Sequence, residues 1–208
     1  MKLPAFYPIL DTEVSLRHRI EPATVAQQIL DAGARIIQFR HKGFLSREAF
    51  GWLERIAELA QAADALLVVN DRPDLAKLFE AALHLGQDDL SPTVARRVVG
   101  PDAIIGYSTH NEAQLRAACD EPADYLALGP VFRTVTKENP DPTVGLDELR
   151  RLRLISKRPL VAIGGITRAN ARQALDAGAN SVAVISDLFP QDGNIQERTT
   201  SYLRLLTS

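Results

Sequence analysis

Eight short apolar segments recur along the 208-residue chain, and their regular succession limits the fold more than any other feature. They are nearly continuous in Val, Ile, Leu and Ala, which is typical of strands buried on both faces. The predicted strands are Ala5–Leu10, Arg35–Phe39, Ala65–Val69, Ala82–Leu85, Ala103–Tyr107, Tyr125–Leu128, Leu160–Ile163 and Ser181–Ile185. Their even distribution indicates a single repeating architecture.

Helix-like segments lie between most of these strands. They are Thr24–Ala34, Arg47–Ala63, Pro92–Val99, Glu112–Cys119, Leu146–Ile155 and Thr167–Gly178. Ser91 before a proline is typical of a helix start, and Thr109 with Glu112 predicts a capping box. Gly33 and Gly178 stand where a helix commonly ends in a left-handed residue. The segment between the third and fourth strands leaves room for about two helical turns.

Alternation of strands and helices predicts parallel strands with helices on the outside. A count of eight favours a closed (β/α)8 TIM barrel of the α/β class, with an open doubly wound sheet as the alternative. The chain is shorter than the roughly 250 residues typical of such barrels, so its helices and loops must be short. Because no linker or change of composition interrupts the pattern, we expect one domain over residues 1–208.

Composition excludes several classes of protein. The single cysteine, Cys119, excludes a disulfide scaffold and a cysteine-rich zinc module. The apolar segments are far shorter than the about 18 residues of a membrane span, and the start of the chain does not resemble a secretory signal. A net charge of −2 and a pI near 6.1 give no reason to expect a nucleic-acid partner. We therefore expect a soluble, cytoplasmic protein.

Polar residues follow the predicted strands at their carboxyl ends, where barrels of this kind carry their active sites. The set comprises Asp11, Gln38, Arg40, Lys42, Asn70, Asp71, Asp88, Asp89, Ser108, Thr109, His110, Thr134, Thr136, Lys137, Ser186 and Asp187. Closure of the sheet would bring them to one face of the molecule.

Gly164 and Gly165 after the seventh strand, with Ser186 after the eighth, occupy the place where barrels commonly hold a phosphate. Glycine lets backbone N–H groups approach an anion, and the following helix would point its positive end at it. The alternative is that the glycine pair only makes a tight turn. The position after strands seven and eight favours phosphate binding.

Charged residues predict a second anion site with a metal. Arg40, Lys42 and Lys137 would supply positive charge, and Asp71 with Asp88–Asp89 would supply carboxylates from two adjacent strands. Two carboxylates together with substrate phosphates are the usual ligands of Mg²⁺. Cations beside a metal suggest a diphosphate. Solvated loop charges, or acidic residues at a helix start, are the alternative interpretation.

The remaining candidate residues and segments give weaker evidence of function. His84 lies inside the fourth strand, which favours a packed or hydrogen-bonded residue over a catalyst, and Phe50 and Trp52 are interpreted as packing residues. The polar segment Arg133–Val144 is either a lid over bound substrate or a disordered excursion. The signatures of zinc hydrolases, serine triads and P-loops are absent from the sequence.

Taken in order, the strand-end motifs resemble the thiamine phosphate synthase family. The matching segments are Gln38–Lys42, Asn70–Arg72, His84–Asp89, Gly106–His110, Ala123–Tyr125, Gly129–Phe132, Thr134–Lys137, Gly164–Ile166 and Val184–Ser186. Each motif alone is weak, but the series runs from about residue 5 to residue 190 in the order of the family, at nearly its spacing.

The resemblance implies a transferase that joins 4-amino-2-methyl-5-(diphosphooxymethyl)pyrimidine to a thiazole phosphate, giving thiamine phosphate and diphosphate by a dissociative substitution. The residues implied to hold the pyrimidine diphosphate are Gln38, Arg40, Lys42, Asn70, Ser108 and Lys137, of which Ser108, Lys137, Arg40 and Lys42 are implied to be catalytic. Asp71 and Asp89 are implied to ligate Mg²⁺. Thr134, Thr136, Gly165, Ile185 and Ser186 are implied to hold the thiazole phosphate. A homodimer is also implied.

The sequence departs from the family pattern at a few positions. His41 replaces the usual Glu between Arg40 and Lys42, and alternation along a strand predicts that it faces away from the phosphates. The lid segment also differs, with Arg133 where the family commonly has a proline. We expect the difference at residue 41 to change packing, and the differences in the lid segment to change lid behaviour and substrate preference.

Other functions remain as alternatives. The thiazole tautomerase branch of the same family carries a His where this chain has Pro130, and it does not need the diphosphate and metal residues. A non-catalytic barrel that binds a phosphorylated metabolite would release no diphosphate. A sugar-phosphate isomerase would need an acid and base pair that the sequence does not provide.

Overall fold

Eight strands of the described chain pair in their order along the sequence, and pairing of the last with the first closes a barrel. The structure, a computed structural model, describes residues 2–134, 141–191 and 193–207. The strands are β1 (Phe6–Asp11), β2 (Ile36–Arg40), β3 (Leu66–Asn70), β4 (Ala82–Leu85), β5 (Ile105–Thr109), β6 (Tyr125–Leu128), β7 (Leu160–Ala162) and β8 (Ser181–Val184). All the pairings are parallel, and Phe6 of β1 stands opposite Val182 of β8. The predicted (β/α)8 barrel is confirmed, and the open sheet is wrong.

The described helices lie outside the strands. They are α1 (Thr12–Arg17), α2 (Pro22–Asp31), α3 (Arg47–Ala62), α4 (Pro73–Leu78), α5 (Pro92–Val99), α6 (Glu112–Ala118), α7 (Gly145–Arg153), α8 (Ala171–Asp176) and α9 (Ile195–Thr207), with a 3₁₀ turn at Ser186–Leu188. The sequence pattern did not predict α1 or α9. The first is too short to show a helical period, and the second follows the last strand of the repeat. A bilayer-spanning helix needs about 20 apolar residues, and none of the helices formed by the described residues meets that requirement.

Two predicted helix ends are confirmed by their backbone hydrogen bonds. Gly33 has φ +99° and donates to the carbonyl of Leu30 at 2.8 Å. Gly178 has φ +104° and donates to the carbonyl of Leu175 at 2.8 Å. These bonds satisfy carbonyls in the last turn of the helix, and the left-handed conformation turns the chain toward the next strand.

One predicted helix start is confirmed and another is wrong. The Ser91 side chain accepts a hydrogen bond from Val94 N and caps α5. Thr109, in contrast, is the last residue of β5, and its hydroxyl donates to the carbonyl of Ala127 at 2.9 Å. Asn111 caps α6 instead, accepting from Gln114 N at 3.0 Å. Because the strand continues to residue 109, the cap moves two residues along the chain.

The strands separate two apolar layers. The larger layer packs between the strands and the helices, and Trp52 and Phe50 of α3 contact it, as the sequence predicts. The smaller layer fills the inside of the barrel, and its buried members are Leu3, Tyr7, Ile9, Ile36, Val68, Ala82, Tyr125, Ala127, Val161 and Ala183. The interior is therefore a packed core, as in other barrels of this class.

A chain of polar side chains crosses this interior. The Gln38 amide nitrogen donates to the Tyr7 hydroxyl at 2.8 Å, and that hydroxyl lies 2.8 Å from the Tyr125 hydroxyl. The Tyr125 hydroxyl lies 3.0 Å from His84 Nδ1, and His84 Nε2 lies 2.8 Å from Ser108 Oγ. The prediction that His84 is a hydrogen-bonded barrel residue is confirmed. Burial lowers the pKa of His84 from 6.5 to about 4, so the ring is neutral at pH 7.

Gly106 of β5 makes room for this chain. A Cβ at residue 106 would lie 2.1 Å from Tyr125 Cζ and 2.5 Å from His84 Nδ1. Both neighbours are rings fixed inside the barrel, so neither can move aside without breaking the hydrogen bonds described above. Only glycine fits at this position.

We expect Gly106→Ala to lower the free energy of unfolding by about 2 kcal/mol or more, because the added methyl overpacks the barrel interior. Gly51→Ala is the matched control. Residue 51 lies inside α3 and a Cβ there meets nothing within 4 Å, so the greater helix propensity of alanine should raise stability by up to about 1 kcal/mol. Urea unfolding of the two variants tests this, and equal effects would contradict it.

We also expect a pH dependence of stability caused by His84. Between pH 6.5 and about 4 the unfolded chain binds a proton at this residue that the folded chain does not. The free energy of unfolding therefore falls as the pH is lowered through this window, by up to about 1.4 kcal/mol per pH unit for this group. Urea unfolding at pH 7, 6 and 5 measures the slope. His84→Asn should reduce it, and an unchanged slope would argue against the assignment.

Candidate active site

The residues at the carboxyl ends of β1 to β5 converge on the mouth of the barrel. Side chains alternate along a strand, so Gln38 and Arg40 share the inward side of Ile36, and Asn70 shares that of Val68. The strand register sets Asp11 opposite Arg40. The side chains predicted to follow these strands therefore lie together at the mouth of the barrel.

Arg40 is held by a carboxylate that the sequence did not assign a role. Its guanidinium pairs with Asp11, whose side chain is 4% exposed. Asp11 also accepts a hydrogen bond from Val14 N at 3.0 Å and so caps α1. The start of α1 thus fixes the acid, and the acid fixes the guanidinium at the barrel mouth. The position of Asp11 at a strand end was the sequence signal for this role.

Lys42 and Asp71 form a second ion pair at the ends of β2 and β3. Asp71 has φ +63°, a left-handed conformation that is uncommon for residues other than glycine and clusters at functional sites. Its backbone N–H donates to the carbonyl of His84 at 2.8 Å. This bond to β4 holds Asp71 in the strained conformation, with its carboxylate against the lysine.

A second carboxylate, that of Asp89, joins this ion pair. Asp89 accepts a hydrogen bond from Gly86 N at 2.7 Å. Burial, and then its hydrogen bond to Asp71 and the charge of that residue, raise the pKa of Asp89 above its ordinary value. Two carboxylates in contact repel each other when both are ionised, and a cation between them removes that repulsion.

The donor set at Asp71 and Asp89 fits Mg²⁺. No group of three or more His, Cys, Asp or Glu side chains suited to a metal is present within residues 2–134, 141–191 and 193–207. Structural zinc sites need such groups, whereas Mg²⁺ is commonly held by one or two carboxylates together with substrate phosphates and water. Asp88, beside this pair, is exposed.

A small cleft lies next to Lys42 and Asp71. It has a volume of about 190 Å³, and Phe39, Val69 and Leu75 of the layer between strands and helices form part of its lining. Its lining residues are Phe39, His41, Lys42, Gly43, Leu45, Val69, Asn70, Asp71, Arg72 and Leu75. Within the described chain, the buried amide nitrogen of Asn70 has no hydrogen-bond partner. A buried donor without a partner is costly, so Asn70 is suited to donate to a bound molecule.

Ser108 stands at the end of β5 and links the mouth to the interior. Its hydroxyl contacts His84 Nε2, and its carbonyl accepts a hydrogen bond from the Gln87 amide at 2.6 Å. Sequence reasoning named Ser108 and Gln38 but missed the two tyrosines, Tyr7 and Tyr125, that connect them. A tyrosine inside an apolar strand was the available signal.

His41 lies on the outer side of β2, as strand alternation predicts. Its Nδ1 is 2.8 Å from the Thr12 hydroxyl, and its ring packs near Phe39 and Trp52. The departure from the family pattern at residue 41 therefore changes contacts between the barrel and its helices.

The predicted phosphate site is built from three neighbouring loops. Phe132 N donates to the carbonyl of Gly164 at 3.0 Å. A Cβ at Gly165 would lie 2.4 Å from the carbonyl oxygen of Arg133, so the loop after β7 abuts the loop after β6 closely. Ile185 packs against the barrel interior at the end of β8, directly before Ser186.

The helix after Gly165 begins later than predicted. α8 starts at Ala171 rather than at Thr167. The Asn170 side chain accepts from Thr167 N at 2.7 Å and donates to the Gly165 carbonyl at 2.9 Å, which forms a turn in place of the first helical turn. The predicted start of this helix is therefore wrong by four residues, while phosphate binding by the glycine loop stays a prediction.

Part of the predicted site falls outside the described residues. Thr136, Lys137 and the central part of the predicted lid lie in residues 135–140. Thr134 precedes this part, and Val144 follows it with its N–H donating to the Pro130 carbonyl at 2.8 Å. The lid and the role of Lys137 stay predictions.

Known proteins resemble this chain over nearly its whole length. Residues 6–188 match the sequence model of the thiamine monophosphate synthase family. The thiamine-phosphate synthase of Koribacter versatilis (strain Ellin345) is 44% identical over 216 residues, which cover 100% of this chain and 98% of that protein. The thiamine-phosphate synthase of Dictyoglomus thermophilum is 39% identical over 88% of this chain and 82% of that protein.

A solved structure agrees with these matches. The thiamine phosphate pyrophosphorylase from Pyrococcus furiosus superposes with a TM-score of 0.85 and 31% identity, covering 97% of this chain and 95% of that one. The family that the strand-end motifs indicated is therefore confirmed by sequence and by fold. The chain belongs to the thiamine monophosphate synthase family.

Proposed function

We propose that this chain is a transferase that joins 4-amino-2-methyl-5-(diphosphooxymethyl)pyrimidine to a thiazole phosphate, releasing diphosphate and forming thiamine phosphate. The observation that carries the proposal is the cluster of Lys42, Asp71 and Asp89 at the barrel mouth, beside Arg40. Charges of both signs are held together there, as a diphosphate with its magnesium ion requires. Family membership supports the same reaction.

The residues near β2 to β5 would hold the pyrimidine diphosphate. Arg40 and Lys42 would bind its phosphates, and Gln38, Asn70 and Ser108 would bind through their polar side chains. Each of the two cations is placed by a carboxylate of the protein itself, Asp11 or Asp71. The cations are therefore oriented before substrate arrives, which reduces the reorganisation needed during the reaction.

The loops after β6, β7 and β8 would hold the thiazole phosphate. We assign its binding to the backbone of Gly165, to Thr134 and Thr136, and to Ile185 and Ser186. Gly165 closely approaches the Arg133 carbonyl. The backbone of the loops after β6 and β7 would therefore border the bound phosphate. Phosphate sites after the seventh and eighth strands are common in this fold.

The reaction breaks a carbon–oxygen bond before a carbon–nitrogen bond forms. The electron pair of the broken bond leaves with the diphosphate, and the lone pair of the thiazole nitrogen then attacks the pyrimidine methylene cation. Negative charge grows on the leaving group, so Arg40, Lys42 and Lys137 would stabilise the transition state more than the ground state. The nitrogen already carries its lone pair, so a general base is not required.

Asp71 and Asp89 would ligate Mg²⁺, which when bound would neutralise charge on the departing diphosphate. The carboxylates are already adjacent, and burial, followed by the hydrogen bond to Asp71 and the charge of that residue, raises the pKa of Asp89. A bound cation would relieve the repulsion between the two carboxylates.

The same cluster argues against the alternative functions. A thiazole tautomerase needs one phosphate pocket and a proton-transferring residue, and it has no use for a lysine beside two carboxylates. A phosphometabolite sensor or a sugar-phosphate isomerase likewise leaves this cluster unexplained. A synthase releases diphosphate, whereas none of these three alternatives does.

We further propose a homodimer in the cytoplasm. The resemblance supports the dimer, and exposed apolar side chains lie at Val94 and Val98 of α5 and at Leu90, just before that helix. The single cysteine is consistent with a reducing compartment. Light scattering of the purified protein measures the oligomeric state, and a monomer would contradict the dimer.

The reaction itself is tested by supplying both substrates with Mg²⁺ and measuring diphosphate and thiamine phosphate together. We expect the two products in equal amounts and no turnover when either substrate is omitted. Folded protein that forms neither product would contradict the proposed function. Conversion between tautomers of the thiazole phosphate, without diphosphate release, would indicate the tautomerase.

The metal assignment is tested by Asp71→Asn and Asp89→Asn, with Asp88→Asn as the matched control. Loss of one charged contact to the developing transition state should lower kcat by at least about 10²-fold and raise the Mg²⁺ concentration needed for half-maximal rate. Asp88 is exposed and outside the cluster, so its variant should keep normal rates. Equal effects of all three variants would contradict the assignment.

A further inference from the structure

We propose that Tyr7, Tyr125 and His84 are positioning residues whose hydrogen bonds all run in one direction, and that they fix the Ser108 hydroxyl as a hydrogen-bond donor to the diphosphate. The inference rests on the proposed binding of the diphosphate near Ser108. It adds to that proposal the direction in which the Ser108 hydroxyl hydrogen points, and it names the buried residues that determine this direction.

The direction of these hydrogen bonds is set at Gln38. Its amide nitrogen can only donate, and it donates to the Tyr7 oxygen at 2.8 Å. Among the described residues, the other hydrogen-bond partner of Tyr7 is the Tyr125 hydroxyl at 2.8 Å. Tyr7 is 1% exposed, so water does not offer an acceptor. The Tyr7 hydrogen therefore goes to the Tyr125 oxygen.

The same reasoning carries the direction to the histidine. The Tyr125 oxygen accepts from Tyr7, and its remaining partner in the described part of the protein is His84 Nδ1 at 3.0 Å. Tyr125 is fully buried, so its hydrogen goes to that nitrogen. His84 Nδ1 is then an acceptor without a hydrogen, which excludes the doubly protonated ring. The ring hydrogen must lie on Nε2.

The last step concerns Ser108. His84 Nε2 lies 2.8 Å from the Ser108 oxygen and donates to it. The serine hydroxyl hydrogen consequently points away from the histidine. Ser108 is half-buried at the end of β5, and its backbone is fixed by the Gln87 amide. The free side of the hydroxyl lies at the mouth of the barrel, where a donor stabilises charge that develops on the leaving group.

The opposite direction leaves one group unsatisfied. If Ser108 donated to His84, then His84 would donate to Tyr125 and Tyr125 to Tyr7. The Tyr7 oxygen would receive two hydrogen bonds, and its own hydrogen would be buried without an acceptor. A buried donor without a partner is unfavourable. The direction that starts at Gln38 therefore gives an acceptor to each hydroxyl hydrogen of Tyr7 and Tyr125 and to the ring N–H of His84.

The tautomer is tested first, in the unmodified protein, by two-bond ¹H–¹⁵N correlation spectra of protein labelled at histidine nitrogen. We expect a neutral His84 ring with its hydrogen on Nε2. A hydrogen on Nδ1 would overturn the proposal. This measurement needs no substrate, so it stands even when the proposed function fails.

The effect on the reaction is tested by a double-mutant cycle of Tyr125→Phe and Ser108→Ala. Tyr125→Phe removes the donor to Nδ1 and leaves Ser108 free to donate to the ring, so kcat should fall about 10-fold or more while KM for the thiazole phosphate stays unchanged. In the Ser108→Ala background, Tyr125→Phe should change kcat by less than about 2-fold, since double-mutant cycles report coupling. Effects that multiply would mean that Tyr125 does not act through Ser108.

Tyr7→Phe gives a second, milder variant in case Tyr125→Phe does not fold. It leaves Tyr125 with His84 as its remaining partner, so the tautomer should persist and kcat should fall less than in Tyr125→Phe. Tyr202→Phe is the control, because its buried hydroxyl donates to Asp187 outside the barrel. The control should leave the His84 tautomer unchanged. A larger kcat loss in Tyr7→Phe than in Tyr125→Phe would overturn the direction.

Discussion

The hydrogen bonds between β1 and β8 are the constraint on which the candidate site depends. All the strands are parallel, so closing the sheet gathers their carboxyl ends into one mouth. In an open sheet of the same strand order, the residues after β2 and β3 would lie far from those after β7 and β8. Closure therefore brings Lys42 and Asp71 to the same end of the molecule as Gly165 and Ser186. The two proposed anion sites would then act on one pair of substrates.

Charge compensation determines the local geometry of that mouth. Arg40 and Lys42 are each held by a carboxylate from a neighbouring strand end, and Asp71 keeps a left-handed backbone conformation. Below them, the polar chain from Gln38 to Ser108 occupies the barrel interior without leaving a tyrosine or histidine group unsatisfied. Charged groups at the mouth and neutral hydrogen bonds beneath it are both held by contacts within the protein, and groups held in this way are the basis of electrostatic preorganisation.

Much of this could be predicted from local sequence, and the failures have physical causes. Strand alternation correctly placed His41 outside the barrel, because a period of two depends only on backbone geometry. The helix after Gly165 was predicted too early, because the side chain of Asn170 forms a turn that a propensity pattern does not reveal. The capping box at Thr109 was wrong, because pairing with β6 extends β5 to that residue. Each error came from a contact between segments that are separate in the sequence or from a specific side-chain bond.

The sequence by itself determined the repeat of strands and helices, the family, and which polar residues stand at strand ends. Those properties follow from hydrophobic periodicity and from the order of short motifs, which are local. Only the tertiary structure decided the partners: Asp11 for Arg40, Asp71 for Lys42, and the tyrosines that join Gln38 to Ser108. Pairing depends on which strands become neighbours and on the register between them, and those are set when the barrel closes.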